Sequence, residues 1–248
     1  MNPLKNFTTA LQFLTTINLK KSEITEKSLA KSTSYFPLIG ILIGSLSALI
    51  YIISSKFFPP TVTSVFIIIS LIWVTRGLHI DGFIDTIDGL FGGSTKEDRL
   101  RIMKDTNVGS FGIAAIVCLI LLKFTLILEI IRYANLTTSC LILILMPAIS
   151  RWNMICAMYF FPYARKVGTG AFTKFSGARE TAAATIITII SSLLLFRVEG
   201  LIILFIAFIF MLLISKYISL KIGGMTGDTY GALNEITEVL VLIYLLLI

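Results

Sequence analysis

Three aspartates stand at i, i+4 and i+7 in the run Gly77-Leu78-His79-Ile80-Asp81-Gly82-Phe83-Ile84-Asp85-Thr86-Ile87-Asp88-Gly89. At about 100° per residue, a helix sets Asp81, Asp85 and Asp88 near 0°, +40° and −20°, so one stripe carries all three. Like charges on one stripe repel and weaken a bare helix. A divalent cation resolves the conflict. Hard oxygen donors, with no competing Cys or His cluster, favour Mg²⁺ or Mn²⁺ over zinc. The helix rise leaves Asp81 and Asp88 roughly 10 Å apart, which suits one ion at an i,i+4 pair or two ions along the stripe. His79, the single histidine, falls about 160° from Asp81 and reads as hydrogen-bonded support or packing rather than as a ligand. Gly82, Gly89, Gly92 and Gly93 weaken the helix but admit a bulky substrate or a closely packed second helix.

A second stretch, Gly223-Gly224-Met225-Thr226-Gly227-Asp228 through Glu235 to Glu238, puts Asp228 and Glu235 on one helical face, with Glu238 about 80° away. Glycines ahead of Asp228 leave backbone N–H groups at a helix start, a setting for phosphate. Between the acidic stretches lie Arg99, Arg101, Lys104 and Asp105, then Arg165, Lys166 and Lys174. Most of these cations read as topogenic or as contacts to lipid headgroups. Lys104 stands apart because it leads into Asn107, Gly109 and Gly112. Carboxylates for a metal, cations for phosphate oxygens and glycines for access describe metal-assisted phosphoryl transfer. No GxxxxGK[ST] occurs, so this is not a P-loop enzyme.

The elements that must position these residues follow from composition. Of 248 residues, 56% are apolar and 14% charged. That balance excludes a disordered chain, a nucleic-acid-binding module and a disulfide-stapled scaffold, and leaves an all-α, multi-pass transmembrane bundle. Apolar runs near 35–55, 61–76, 110–131, 138–162, 181–197, 200–216 and 236–248 predict about seven spans, with six or eight as the neighbouring counts. The whole of 1–248 reads as one integral membrane domain. Of the 21 basic residues, 16 fall in segments 1–34, 76–109, 163–180 and 216–235. The positive-inside rule puts those segments, and any site, at the cytoplasmic face of the cell membrane. The intervening loops are too short to build a site.

Leu4, Phe7, Leu11 and Leu14 predict a short helix on the membrane surface, and the N-terminal segment does not read as a signal peptide. Cys118, Cys140 and Cys156 read as small buried hydrophobes. Lys123 and Arg151 fall near mid-depth of their spans, where each needs a partner, a wet cavity or a bound anion. Glu129 is the candidate partner, and both structural pairing and substrate contact stay open.

The motifs FLTTI, YFPLIGILIG, GLHIDGFIDTIDGLFGG, IMKDTNVGSFGIAA and GGMTGDTYGALNEITE, in this order over nearly the whole chain, resemble the cobalamin synthase family, the adenosylcobinamide-GDP ribazoletransferases. The resemblance implies a multi-pass enzyme in which α-ribazole or its 5′-phosphate attacks the phosphate linking cobinamide to GMP. Adenosylcobalamin or its 5′-phosphate forms and GMP leaves, with Mg²⁺ required. Its acidic motif falls on Asp81, Asp85 and Asp88, its Lys-Asp pair on Lys104 and Asp105, and its late acidic motif on Asp228 and Glu235. The expected metal set is therefore Asp81, Asp85, Asp88, Asp228 and Glu235. Asp81, Asp85, Lys104 and Asp228 are the expected catalytic set, and Lys104, Asp105, Arg151 and Arg165 the expected substrate contacts. Expected partners are adenosylcobinamide-GDP, the ribazole acceptor and membrane lipids, and no nucleic acid. Phe83, Ile84 and Ile87 are bulkier than the family's usual residues, and Thr106-Asn107 replaces a commoner Ser-Arg, removing one phosphate contact. The competing readings are a CDP-alcohol phosphotransferase, disfavoured by Asp85-Thr86 where that pattern has Ala-Arg, and a cation-coupled transporter, disfavoured because no internal repeat is evident.

Overall fold

The computed structural model describes residues 3–18, 24–165, 167–168 and 170–248. Lys20, Lys21 and Lys166, counted above among the basic residues, lie outside them. Ten α-helices run in chain order among the described residues: α1 Pro3–Leu14, α2 Glu26–Ser32, α3 Phe36–Ser54, α4 Pro60–Val74, α5 Leu78–Gly92, α6 Lys96–Ile102, α7 Ser110–Tyr133, α8 Leu136–Phe160, α9 Ala178–Ile222 and α10 Gly227–Leu247. Five helical stretches are long and apolar enough to cross a membrane, and the bent pair α4–α5 makes a sixth.

The longest helix doubles back. Arg197 breaks α9 with φ 51° and ψ −128°. Gly200 then lies against the Ser192 carbonyl, a contact impossible in a straight helix, where eight residues span about 12 Å. One apolar cavity is lined by Thr185 and Ile189 from the first arm and by Leu204 and Phe208 from the second. The two arms match the apolar runs expected near 181–197 and 200–216. Leu46, Leu49, Leu121, Ile190, Leu194, Phe205 and Leu213 are exposed along the spans, as a surface bathed in lipid requires.

α8 is the buried centre, packed against α3, α9 and α10. Gly40 and Gly44 of α3 rest on the Pro147 and Leu143 carbonyls of α8. Pro147 has no N–H to give to Leu143, four residues back, and the bare glycine backbone approaches where that bond is missing. α10 begins at Gly227, about nine residues before the expected start of the last span. Its cap is Thr226, whose side chain accepts from the Thr229 N–H.

The turn from α4 to α5 positions everything below. The Gly77 N–H donates to the Ile72 carbonyl (2.9 Å) and the Arg76 N–H to the Trp73 carbonyl (3.2 Å), the bond pair of a Schellman stop. Its left-handed residue is Arg76, φ 55°, followed by Gly77, φ 66°. Such a stop normally uses glycine, and a side chain there costs about 1–2 kcal/mol. The chain turns 87°, so α5 runs crosswise to the spanning helix α4 at the end of the bundle.

Candidate active site

α5 meets α10 through glycine. A Cβ on Gly82 would stand 2.6 Å from the Asp228 carbonyl oxygen, and one on Gly231 would stand 3.2 Å from the His79 Cα. With nothing but backbone between the helices, Asp81 and Asp85 share a site with Asp228, from a distant part of the chain. Asp81, Gly82, Asp228 and Gly231 line one cavity of about 120 Å³, floored by Met154 and Met158 of α8. A wider groove of about 560 Å³ adjoins it, with Asp81, Phe13 and Leu78 in both walls.

The carboxylates crowd one another. Partial burial, then the charges of Asp81 and Asp228, push the half-buried Asp85 from the ordinary carboxylate range up to about 7. Arg165 offsets part of this, its Nη1 donating to Asp228 Oδ2 at 2.8 Å. A short parallel pairing brings Arg165 there. The Ala164 N–H donates to the Met225 carbonyl and the Met225 N–H to the Pro162 carbonyl, each at 2.8 Å. Gly223 and Gly224, at φ 80° and 147°, stop α9 and turn the chain into this pairing rather than forming an open phosphate loop. Arg165 Nε and Nη2 are buried without a protein partner, two donors left with hydrogen bonds to give.

Three expected site residues are engaged elsewhere. Asp88 accepts from the Gly109 and Gly112 N–H groups, both at 2.8 Å. It caps α7, which has no side-chain cap of its own, and a Cβ on either glycine would strike its carboxylate. Glu235 lies about two turns down α10 from Asp228, and its Oε2 accepts from Lys123 Nζ at 2.6 Å. The helix that begins at Gly227 thus carries Glu235, a member of the expected metal set, into the bundle and onto Lys123. Arg151, 1% exposed, pairs with Glu238, and its Nη2 lies 3.4 Å from His79 Nδ1. Lys123 also donates to Glu238 at 2.6 Å. The mid-depth cations thus find partners on α10, while Glu129 pairs with Arg132 at 3.2 Å.

Lys104 is exposed on the α6–α7 loop, and Asp105 beside it accepts from the Asn107 backbone and side-chain nitrogens at 3.0 and 2.9 Å. Glu238 and the capping role of Asp88 were missed in the sequence. The Gly109-x-x-Gly112 spacing at a helix start was the available signal for the cap. Asp88→Ala should lower stability by about 1–3 kcal/mol, because one buried and one half-buried amide lose their acceptor. Thermal unfolding in detergent, with hydrogen exchange over 109–112, reads this; unchanged exchange there would refute the cap.

Among the described residues, no three His, Cys, Asp or Glu side chains converge tightly enough to enclose a metal ion. Mg²⁺ does not need such a cage. It keeps several waters and binds through one or two carboxylates plus substrate phosphates, and Asp81 and Asp85 beside Asp228 are donors of that kind.

Residues 6–246 match the cobalamin-5-phosphate synthase family. The chain is similar to adenosylcobinamide-GDP ribazoletransferases of Desulforamulus reducens (38% identity, covering 96% of this chain and 94% of the relative), Caldanaerobacter subterraneus subsp. tengcongensis (36%, 98% of each) and Syntrophobacter fumaroxidans (39%, 96% of each). No solved structure matches it.

Proposed function

The chain belongs to the cobalamin-5-phosphate synthase family, and we propose that it works as an adenosylcobinamide-GDP ribazoletransferase assisted by Mg²⁺ at the cytoplasmic face of the cell membrane. The observation that carries the site is the backbone contact of Gly82 with Asp228, which makes one acidic wall from two distant motifs.

In the reaction, the acceptor hydroxyl oxygen bonds to the phosphorus on cobinamide, and the bond to the bridging oxygen breaks. GMP leaves with that oxygen. Asp81 and Asp85 would hold the metal. Bound there, Mg²⁺ supplies charge neutralisation for the diphosphate and the departing GMP. Asp228 has Oδ2 tied to Arg165 and Thr226, and its Oδ1 takes the hydroxyl proton. Arg165 turns its two unpartnered donors to phosphate oxygens. Lys104 adds a cation from its loop. The cytoplasmic placement is supported by the clustering of basic residues in the segments that bear the site.

The test combines purified protein, adenosylcobinamide-GDP and α-ribazole. GMP and a completed corrinoid should appear with Mg²⁺, stop with EDTA and return when Mg²⁺ is restored. Undiminished turnover in EDTA would remove the metal. Inverted membrane vesicles should convert added substrates and right-side-out vesicles should not; the reverse would put the site on the other face.

A further inference from the structure

The left-handed Arg76 lies at the edge of the site, and nothing in the reaction described above uses it. Its Nη2 donates to the Gln12 carbonyl at 3.0 Å, and the Thr16 N–H donates to the Val74 carbonyl at 2.8 Å. The end of α1 is thereby pinned beside the α4–α5 turn. Phe13 of α1 stacks on Phe36 and meets Phe172 edge-on, with centroids at 5.9 and 5.6 Å. The helix expected to lie on the membrane thus forms a wall of the 560 Å³ groove. Across from it are Leu78, Ile80 and Ile84, and among the described residues lining the groove Arg76 is the one cation.

The groove and the smaller cavity meet at Asp81. An acceptor whose hydroxyl reaches Asp228 in the smaller cavity extends past Asp81 into the groove. The Arg76 side offers apolar walls suited to an aromatic base, with a guanidinium at their edge. A strained backbone is retained where its side chain has a use, and glycine in this stop would relieve the strain.

Taking the ribazoletransferase reading as given, we propose that the α1–α5 groove is the acceptor subsite and that Arg76 is its specificity-determining residue, binding the 5′-phosphate monoester of the phosphorylated acceptor. Arg76→Gly, which relaxes the turn, and Arg76→Lys, which keeps a point charge without the fork, test it against wild type. The readouts are KM for α-ribazole 5′-phosphate, for α-ribazole and for adenosylcobinamide-GDP.

Loss of a charge-assisted phosphate contact should raise the first KM at least about tenfold in Arg76→Gly. The other two KM values should stay within about twofold, kcat should hold, and Arg76→Lys should fall between. Thermal unfolding of Arg76→Gly in detergent should match or exceed wild type. Equal rises for both acceptors, a rise confined to adenosylcobinamide-GDP, or no change in any KM would overturn the assignment. The last would leave Arg76 as an anchor for α1 or a contact to lipid phosphate. If wild type joins neither acceptor to adenosylcobinamide-GDP, the ribazoletransferase reading itself has failed.

Discussion

Asp85→Asn should reduce GMP release by at least about 10³-fold while leaving the protein folded. The amide has the shape of the carboxylate, so the α5–α10 crossing at Gly82 is untouched. What disappears is the negative charge that, with Asp81, draws the divalent ion to the diphosphate. Removing preorganised electrostatic stabilisation of this kind costs about 10²–10³ in rate for one donor, and loss of the ion adds to that. Stability should move the other way. In the folded state burial and the Asp81 and Asp228 charges raise the Asp85 pKa to about 7, so without metal the folded protein binds this proton more tightly than the unfolded chain. That contribution is favourable below the ordinary carboxylate range and fades as pH rises towards about 7. Asparagine has no such dependence. Thermal unfolding in detergent at pH 8 with EDTA should place the variant at or above wild type. Turnover within tenfold of wild type at saturating Mg²⁺ would end the role given to Asp85.

Glu238→Ala should be the most damaging single change to the fold. Its carboxylate accepts from Lys123 at 2.6 Å and pairs with Arg151, and Asn234 donates to it at 3.3 Å. Glu238 is 2% exposed and Arg151 1%. Truncation leaves Arg151 charged, buried and without its carboxylate, and breaking a buried pair in this way costs about 3–5 kcal/mol. Lys123 retains Glu235, so Glu235→Gln, which leaves Glu238 in place for both cations, should cost less. The double variant Arg151→Leu/Glu238→Leu should recover much of the loss, since no uncompensated charge remains. Membrane yield and thermal unfolding in detergent read all three. A Glu238→Ala protein with wild-type unfolding would show that the pair contributes little.

These predictions concern groups that differ in how far their spacing exposed them. Asp81 and Asp85 were legible because i, i+4 carboxylates among apolar residues share a helix face whatever surrounds the helix. The break at Arg197 was legible as two apolar runs separated by a short charged step. Asp88 shared the same stripe, yet its environment is the start of α7, and no angle along α5 announces which neighbour lies beside its last turn. The helical face shared by Asp228 and Glu235 was legible from their spacing of seven, but the Lys123 ammonium that Glu235 meets was not, because no periodicity along α10 names its neighbour. A buried ion pair lowers the hydropathy of a segment without taking it out of the bundle.

By itself the order of residues determined the all-α, multi-pass membrane class and the helical stripe of α5. Each of these depends on periodicity, length or charge within a single segment. Tertiary structure decided which carboxylates face one another and which are spent on Lys123, Arg151 and the amides of α7. Those choices depend on which helices touch, and helix contact is set by where glycine lets two backbones meet, as at Gly82 with Asp228 and Gly44 with Leu143.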